Sequence, residues 1–332
     1  MNCSAIVIGC GRVGFTYNLD SKRKGVYSHI AMYKSSELIS SICAVDPDNK
    51  NLLLIKDKHS DILCFQDLDK ALETCKFDIA SVCTPSDIRL SVIKKLASNG
   101  VKAIFCEKPI STNLKEAKHI IKICKDNKIH LAVNHYRRWD KFHKEAQNFL
   151  YSGQLGKIQS VVVHYNNGTM NTGTHVFDNL RMFFGDIDKV YAYGQPLGVG
   201  HKATHNAIVQ FVSGLNATLV ASNSDHFRMF EIDILGTLGR LIINNGYTSQ
   251  LFRITQSPHN SEFNVLQPAN SNFPEGRKKH YEHALDNLLS CIGGNEEVLS
   301  SGDDAIACLK ACLAIERSFV DKKWVNISSI VA

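Results

Sequence analysis

The run Gly9-Cys10-Gly11-Arg12-Val13-Gly14 follows directly on the apolar stretch Ala5–Ile8. A strand that stops on such a turn is built to receive a diphosphate. Two glycines let the backbone turn tightly and approach the anion, and the third lets the next helix pack close with its free N–H groups facing the charge. Gly9, Gly11, Arg12, Val13 and Gly14 are therefore candidate cofactor contacts. A second apolar run, Ile42-Cys43-Ala44-Val45, ends on Asp46, where a dinucleotide fold needs a carboxylate to accept hydrogen bonds from the adenosine ribose. A carboxylate there repels a 2′-phosphate, so NAD is preferred and NADP is possible; Asp46 before Pro47 also reads as a plain turn signal. The gap from the glycines to Asp46 exceeds the usual ~20 residues. The excess falls around Asp20-Ser21-Lys22-Arg23-Lys24-Gly25, a loop inserted before the helix resumes.

Three further groups stand at the ends of predicted strands, where an open α/β sheet places its ligands. In Cys83-Thr84-Pro85-Ser86 the proline makes a sharp turn and Thr84 offers a hydroxyl, although the same residues suit an ordinary loop. In Glu107-Lys108-Pro109 a lysine held beside an oxidised, cationic nicotinamide is pushed toward a lower pKa and takes or shares a hydroxyl proton. The bland alternative is an exposed charged pair at a turn. In Asn171-Thr172-Gly173-Thr174-His175-Val176-Phe177-Asp178, helical spacing puts Asn171 and His175 on one face and Asp178 within reach. Histidine changes its proton near neutrality, yet a lone histidine at a helix start is usually structural.

These groups need rigid elements to hold them. The first third alternates β-branched runs with helical stretches, through Phe77–Cys83, Ile88–Asn99, Ala103–Cys106, Leu114–Asn127 and His130–Val133, which implies a parallel sheet with crossover helices. Asn99-Gly100 closes one helix, and Ser111-Thr112-Asn113 opens the next ahead of Glu116. Beyond about residue 155 strands follow one another through short turns, from Lys157–Tyr165 to Gln250–Thr255, and read as an antiparallel sheet. Helices near Tyr281–Cys291 and Asp303–Phe319 close the chain. The expected architecture is α/β: a dinucleotide-binding domain over residues 1–127, then a substrate domain with an open, mainly antiparallel sheet over 128–332.

The chain has 332 residues, 44% hydrophobic and 21% charged, enough to bury a sizeable core. Its net charge of +6 is spread out, with no basic run interleaved with aromatics, so no nucleic-acid partner is expected. No signal peptide or membrane span is evident, and a cytoplasmic protein is the simplest reading. Eleven cysteines in apolar segments fit reduced, buried thiols better than disulfides. Cys308 and Cys312 share a helix face with no second ligand pair, so core packing is expected and no metal. Lys22-Arg23-Lys24 reads as a solvated loop or, less simply, an anion clamp.

Taken in order, the glycine run, Asp46, Thr84-Pro85, Glu107-Lys108-Pro109, Arg137-Arg138-Trp139-Asp140, Gly173-Thr174-His175-Val176-Phe177-Asp178 and Gly236-Thr237-Leu238-Gly239-Arg240 resemble the glucose-fructose oxidoreductase, inositol dehydrogenase and MocA family. The glutamate-lysine-proline motif behind a Rossmann start is the specific part. The resemblance implies a nicotinamide-dependent oxidoreductase acting on a sugar, polyol or nucleotide-sugar. It also implies a C-terminal sheet that carries substrate and makes a homodimer or homotetramer. It makes Lys108 the lysine between substrate hydroxyl and nicotinamide, and His175 its acid/base partner. Glu107, Thr84 and Pro85 line the nicotinamide side, and Arg138 makes a cofactor or substrate contact. Two departures stand out. Asn171 occupies the position of a frequent aspartate, which suggests an orienting role in catalysis and also feeds the alternative of a non-catalytic dinucleotide sensor. Arg89 stands where family members often have histidine, and reads only as helix-surface variation.

Overall fold

The computed structural model describes residues 2–331, and the chain divides into two compact units. The first comprises the chain up to Trp139 together with Lys279–Ile306, and the second Asp140–Lys278 together with the chain from Ala307. Along the first unit run β1 (Cys3–Ile8), α1 (His29–Lys34), β2 (Ile39–Val45), α2 (Asn49–Lys58), β3 (Leu63–Phe65), α3 (Leu68–Thr74), β4 (Ile79–Val82), α4 (Arg89–Ser98), β5 (Ala103–Cys106), α5 (Leu114–Asp126) and β6 (His130–Val133). The second unit adds α6 (Lys141–Tyr151), β7 (Ile158–Tyr165), α7 (Gly173–Phe184), β8 (Ile187–Leu197), β9 (Thr204–Phe211), β10 (Asn216–Ala221), β11 (Phe230–Gly236), β12 (Gly239–Asn244), β13 (Thr248–Gln256) and β14 (Asn264–Ala269). The chain closes with α8 (His280–Ile292), α9 (Gly302–Asp321) and β15 (Val325–Asn326).

The first sheet is parallel with strand order β3-β2-β1-β4-β5-β6, the doubly wound order that opens a ligand crevice where it reverses, between β1 and β4. Its central strands are almost wholly apolar, with Ser81 the exception in β4, as both faces are covered: every residue of β4 and β5 is buried. The expected caps form. Asn113 accepts from the backbone N–H groups of Lys115 and Glu116 to start α5, and Gly100 lies at φ +84° behind α4. The sequence reading closes this domain at residue 127. In the structure β6, which starts at His130, pairs with β5, and α8 supplies Tyr281, Leu285 and Leu288 to the same core.

The second sheet has strand order β14-β13-β12-β11-β7-β10-β9-β8-β15. It is mainly antiparallel, as expected, with one parallel pair between β7 and β10. In β11 Phe230, Ile232 and Ile234 are buried while Glu231, Asp233 and Leu235 are half-exposed, the period-two signature of a sheet with one covered face. The short β3 and α3, and strand β14, went unrecognised in the sequence. All eleven cysteines are free thiols, eight of them buried, and Cys308 and Cys312 pack fully inside. No helix among the described residues is long and apolar enough to cross a membrane.

Candidate active site

The carboxyl ends of the first sheet's strands bring the predicted cofactor residues into line. Gly9, Cys83, Glu107 and Asn134 each follow a strand, and each donates its backbone N–H to the neighbouring strand: to Val45, Ile8, Val82 and Cys106. The ladder thus runs one residue beyond the strands and fixes the turns that leave them.

The glycine turn is packed on two sides and open on a third. Gly9 has φ +90°, and a Cβ there would lie 2.9 Å from the Cys83 carbonyl; at Gly14 it would lie 2.0 Å from the Gly9 carbonyl oxygen. At Gly11 an added Cβ would meet nothing within 4 Å. The turn therefore has its own structural reasons for two glycines, while Gly11 lines open space of the kind a diphosphate fills. The exposed Arg12 and half-buried Val13 border it.

Behind this turn the helix is interrupted, as the sequence spacing suggests. His29 and Ile30 donate to the carbonyls of Val13 and Gly14, so the helical ladder continues across the excursion 15–28. Within that loop Arg23 does not simply point to solvent. Its guanidinium stacks 3.9 Å from the Tyr17 ring centroid and pairs with Asp20 at 3.4 Å, which leaves Lys22 and Lys24 as the exposed charges.

Asp46 is buried, and its carboxylate accepts from the N–H of Cys10 (2.7 Å), the N–H of Asp48 (2.8 Å) and the Asn51 amide (3.1 Å). It clamps the glycine turn to the end of β2. Burial, with the charge of Asp46 next, pushes the Cys10 thiol far up and keeps it protonated.

Thr84 and Glu107 are buried, Lys108 is half-buried and Pro85 is exposed. The Lys108–Pro109 peptide is cis. Around Glu107 lies a polar network that the sequence reading missed. His29, 0% exposed, places Nε2 3.1 Å from Glu107 Oε1 and Nδ1 2.8 Å from Ser81 Oγ; Tyr33 Oη is 2.8 Å from the same hydroxyl. Asn134 donates to Glu107 Oε1 at 2.6 Å, and Tyr281 bonds to Asn134. Burial alone would raise the Glu107 carboxyl, but the hydrogen bond and charge of His29, then Asn134 and the charge of Lys108, outweigh it and hold the pKa below the ordinary value. An ionised carboxylate only accepts, so His29 Nε2 donates to it, and the Ser81 and Tyr33 hydroxyls continue the chain from Nδ1. Burial raises Tyr281 further, with Glu107's charge as second cause. A serine–histidine–glutamate line of this kind suggests nucleophilic chemistry, but Ser81 is fully buried, so it braces the carboxylate instead.

Arg89 requires a correction. It is 4% exposed rather than on the helix surface. Nε and one terminal nitrogen donate to the Thr84 carbonyl at 3.0 and 2.8 Å, and the other terminal nitrogen donates to the carbonyls of Glu107 (2.5 Å) and Pro109. Arg138 bonds Asp304 at 3.1 Å and the Leu299 carbonyl at 3.3 Å, a structural duty within its own unit.

In the second unit Asn171 belongs to a π-helical turn, Gly168–Thr172, that runs straight into α7. Its amide donates to the Asn167 carbonyl at 3.2 Å, and its carbonyl accepts from the Thr174 hydroxyl at 2.8 Å. Asn171 and His175 are both half-buried, whereas Asp178 is buried with its carboxylate 3.9 Å from Cys308 Sγ.

The residues present fit a dinucleotide. Besides the open space at Gly11, the buried Thr84 hydroxyl and the Asn134 amide oxygen have no hydrogen-bond partner among the described residues. Buried polar atoms seldom stay unpaired, and both stand at strand ends where this sheet order receives its ligand.

Comparison with known proteins agrees. Residues 4–135 match the model of an oxidoreductase family with an NAD-binding Rossmann fold, and residues 168–242 match the GFO/IDH/MocA C-terminal domain. The chain belongs to the GFO/IDH/MocA oxidoreductase family. It is thus an NAD(P)-dependent oxidoreductase acting on CH–OH groups. Inositol 2-dehydrogenase of Rhizobium meliloti is 24% identical, over 79% of this chain and 84% of that protein. scyllo-Inositol 2-dehydrogenase (NAD(+)) of Bacillus subtilis is 22% identical, over 94% and 93%. The solved structure of a putative NADPH-dependent oxidoreductase from Desulfitobacterium hafniense shares the fold with a TM-score of 0.82 at 18% identity, covering 100% of this chain and 99% of that one.

Proposed function

We propose that the protein oxidises a secondary alcohol of a sugar, polyol or nucleotide-sugar, or reduces the matching ketone, with NAD as the preferred coenzyme. The observation that carries this reading is the Glu107-Lys108-Pro109 turn, fixed at the carboxyl edge of the Rossmann sheet beside a buried Thr84 hydroxyl without a partner. When bound, the nicotinamide accepts the hydride. Gly9, Gly11, Arg12, Val13 and Gly14 hold the diphosphate, and Asp46 selects the ribose. Thr84, Pro85 and Glu107 border the ring, with Arg138 nearby. Lys108 takes the hydroxyl proton, His175 completes the acid/base pair, and Asn171 orients the substrate by hydrogen bonding, having no charge to offer an imidazolium. In this reading the protein works as a homodimer or homotetramer assembled through its second sheet, whose strands keep one half-exposed face.

The test is formation of reduced nicotinamide from NAD or NADP by the purified protein across free sugars, polyols, sugar phosphates and nucleotide-sugars, with Lys108→Ala as control. A signal on one class that Lys108→Ala abolishes supports the reading and names the substrate type. Full turnover by Lys108→Ala rejects the role of Lys108, and tight coenzyme binding without turnover on any class favours a dinucleotide-sensing regulator.

A further inference from the structure

Arg89 is the first residue of α4, where the helix dipole opposes a cation, and it is buried, where an unpaired charge is costly. All its hydrogen bonds run to backbone carbonyls, and among the described residues no carboxylate stands within ion-pair distance of it. A guanidinium in so unfavourable a place needs a reason beyond stability. Its partners give one: a single terminal nitrogen reaches the carbonyls of Glu107 and Pro109, the two residues that flank Lys108, while the rest of the fork holds Thr84.

We propose that Arg89 is a positioning residue that brackets the backbone of Lys108, ties its turn to the Thr84 turn, and sets a fixed positive charge against the lysine's own turn. The proposal rests on the reading of Lys108 as the proton-transfer group. A cation below an ammonium favours loss of its proton, which readies Lys108 to act as a base near neutral pH. The charge of Glu107, whose carboxylate bonds His29 from α1 and Asn134 from the end of β6, pulls the other way. The other titratable groups around this turn are Cys83 behind β4, Cys106 on β5 and Tyr281 on α8. Burial raises all three, with Glu107's charge contributing, so they stay neutral. Arg89 is thus the fixed cation of this turn, acting on Lys108 against the charge of Glu107.

Competitive acetylation with acetic anhydride across pH 7–11, read lysine by lysine by mass spectrometry on the whole protein, follows the titration of Lys108 directly and needs no substrate. The exposed Lys118 serves as internal reference. The expected result is a Lys108 midpoint, read against Lys118, that rises from wild type to Arg89→Gln and stays at the wild-type position in Arg89→Lys, with NADH affinity by fluorescence within about threefold in all three. An unchanged or lowered Lys108 midpoint in Arg89→Gln overturns the proposal. Should Arg89→Gln fail to fold by circular dichroism, Arg89→Lys still decides, because a midpoint raised despite the retained charge contradicts the electrostatic role. Turnover by Lys108→Met would sink the proposed function while leaving the labelling result standing, so the two failures are distinguishable.

Discussion

His29 Nε2 and Glu107 Oε1 lie 3.1 Å apart and are both buried, although 78 residues separate them in sequence. Their bond contributes to how this protein responds to acid. The Glu107 carboxyl is held below its ordinary value of 4.5, so its contribution to stability is fully present above that value and is lost as pH falls through the lower, folded-state value. Glu107→Gln is expected to flatten the pH dependence of the melting temperature below about pH 4.5. A variant with the same acid limb as the wild type would show that Glu107 is not held ionised.

Replacing the other partner tests the brace itself. His29→Leu leaves the carboxylate without its ring donor and is expected to cost about 2 kcal/mol in urea unfolding. His29→Gln, which keeps an N–H on a side chain of similar reach, should recover part of that loss. Equal losses in the two variants would assign the effect to packing rather than to the hydrogen bond.

The glycines separate fold from function. Gly14→Ala forces a Cβ against the Gly9 carbonyl and should destabilise the first unit by about 1–3 kcal/mol. Gly11→Ala meets no protein atom, so its melting temperature should match the wild type while NADH affinity drops about tenfold or more. Unaltered NADH binding in Gly11→Ala would remove the diphosphate from this turn.

Asp46 joins a structural duty to the proposed choice of coenzyme, and one substitution tests both. Asp46→Ser removes the acceptor for the Cys10 and Asp48 N–H groups and for Asn51, and should lower stability by about 1–3 kcal/mol. It also removes the charge that we propose disfavours a 2′-phosphate, so the ratio of NADP to NAD affinity should rise. A stable variant with unchanged coenzyme preference would contradict both.

Asn179 lies one turn beyond His175 on α7, 0% exposed, and neither its amide oxygen nor its nitrogen has a partner among the described residues. Asn179→Leu, close in volume and free of buried polar atoms, is expected to stabilise the second unit by about 1 kcal/mol. A destabilised variant would mean that a water or ligand satisfies the amide.

Local chemistry in this chain is legible without coordinates wherever neighbours along the sequence do the work. The glycine turn, the carboxylate after β2, the Asn113 cap and the excursion before α1 are all short-range features, since turn sterics and strand periodicity act over a few residues. The family motifs are similarly local. The helical spacing of Asn171 and His175 was readable, but not the π-turn that carries Asn171, because the choice between an i−4 and an i−5 partner rests on what packs around it.

The remainder belonged to the tertiary structure. Arg89 reads as a surface residue because charged side chains on helices usually are, and only the meeting of the turns behind β4 and β5 shows it buried with three carbonyls to bind. His29, Ser81, Asn134 and Tyr281 carry no motif, and they become one network because the parallel sheet sets β4, β5 and β6 side by side and lays α1 and α8 over them. By itself, then, the sequence determined the turns, the strand ends and the reactive side chains placed there, since each follows from a few adjacent residues. The partners that hold Glu107 and bracket Lys108 were decided only by folding, because hydrogen bonds between distant residues depend on which strands become neighbours.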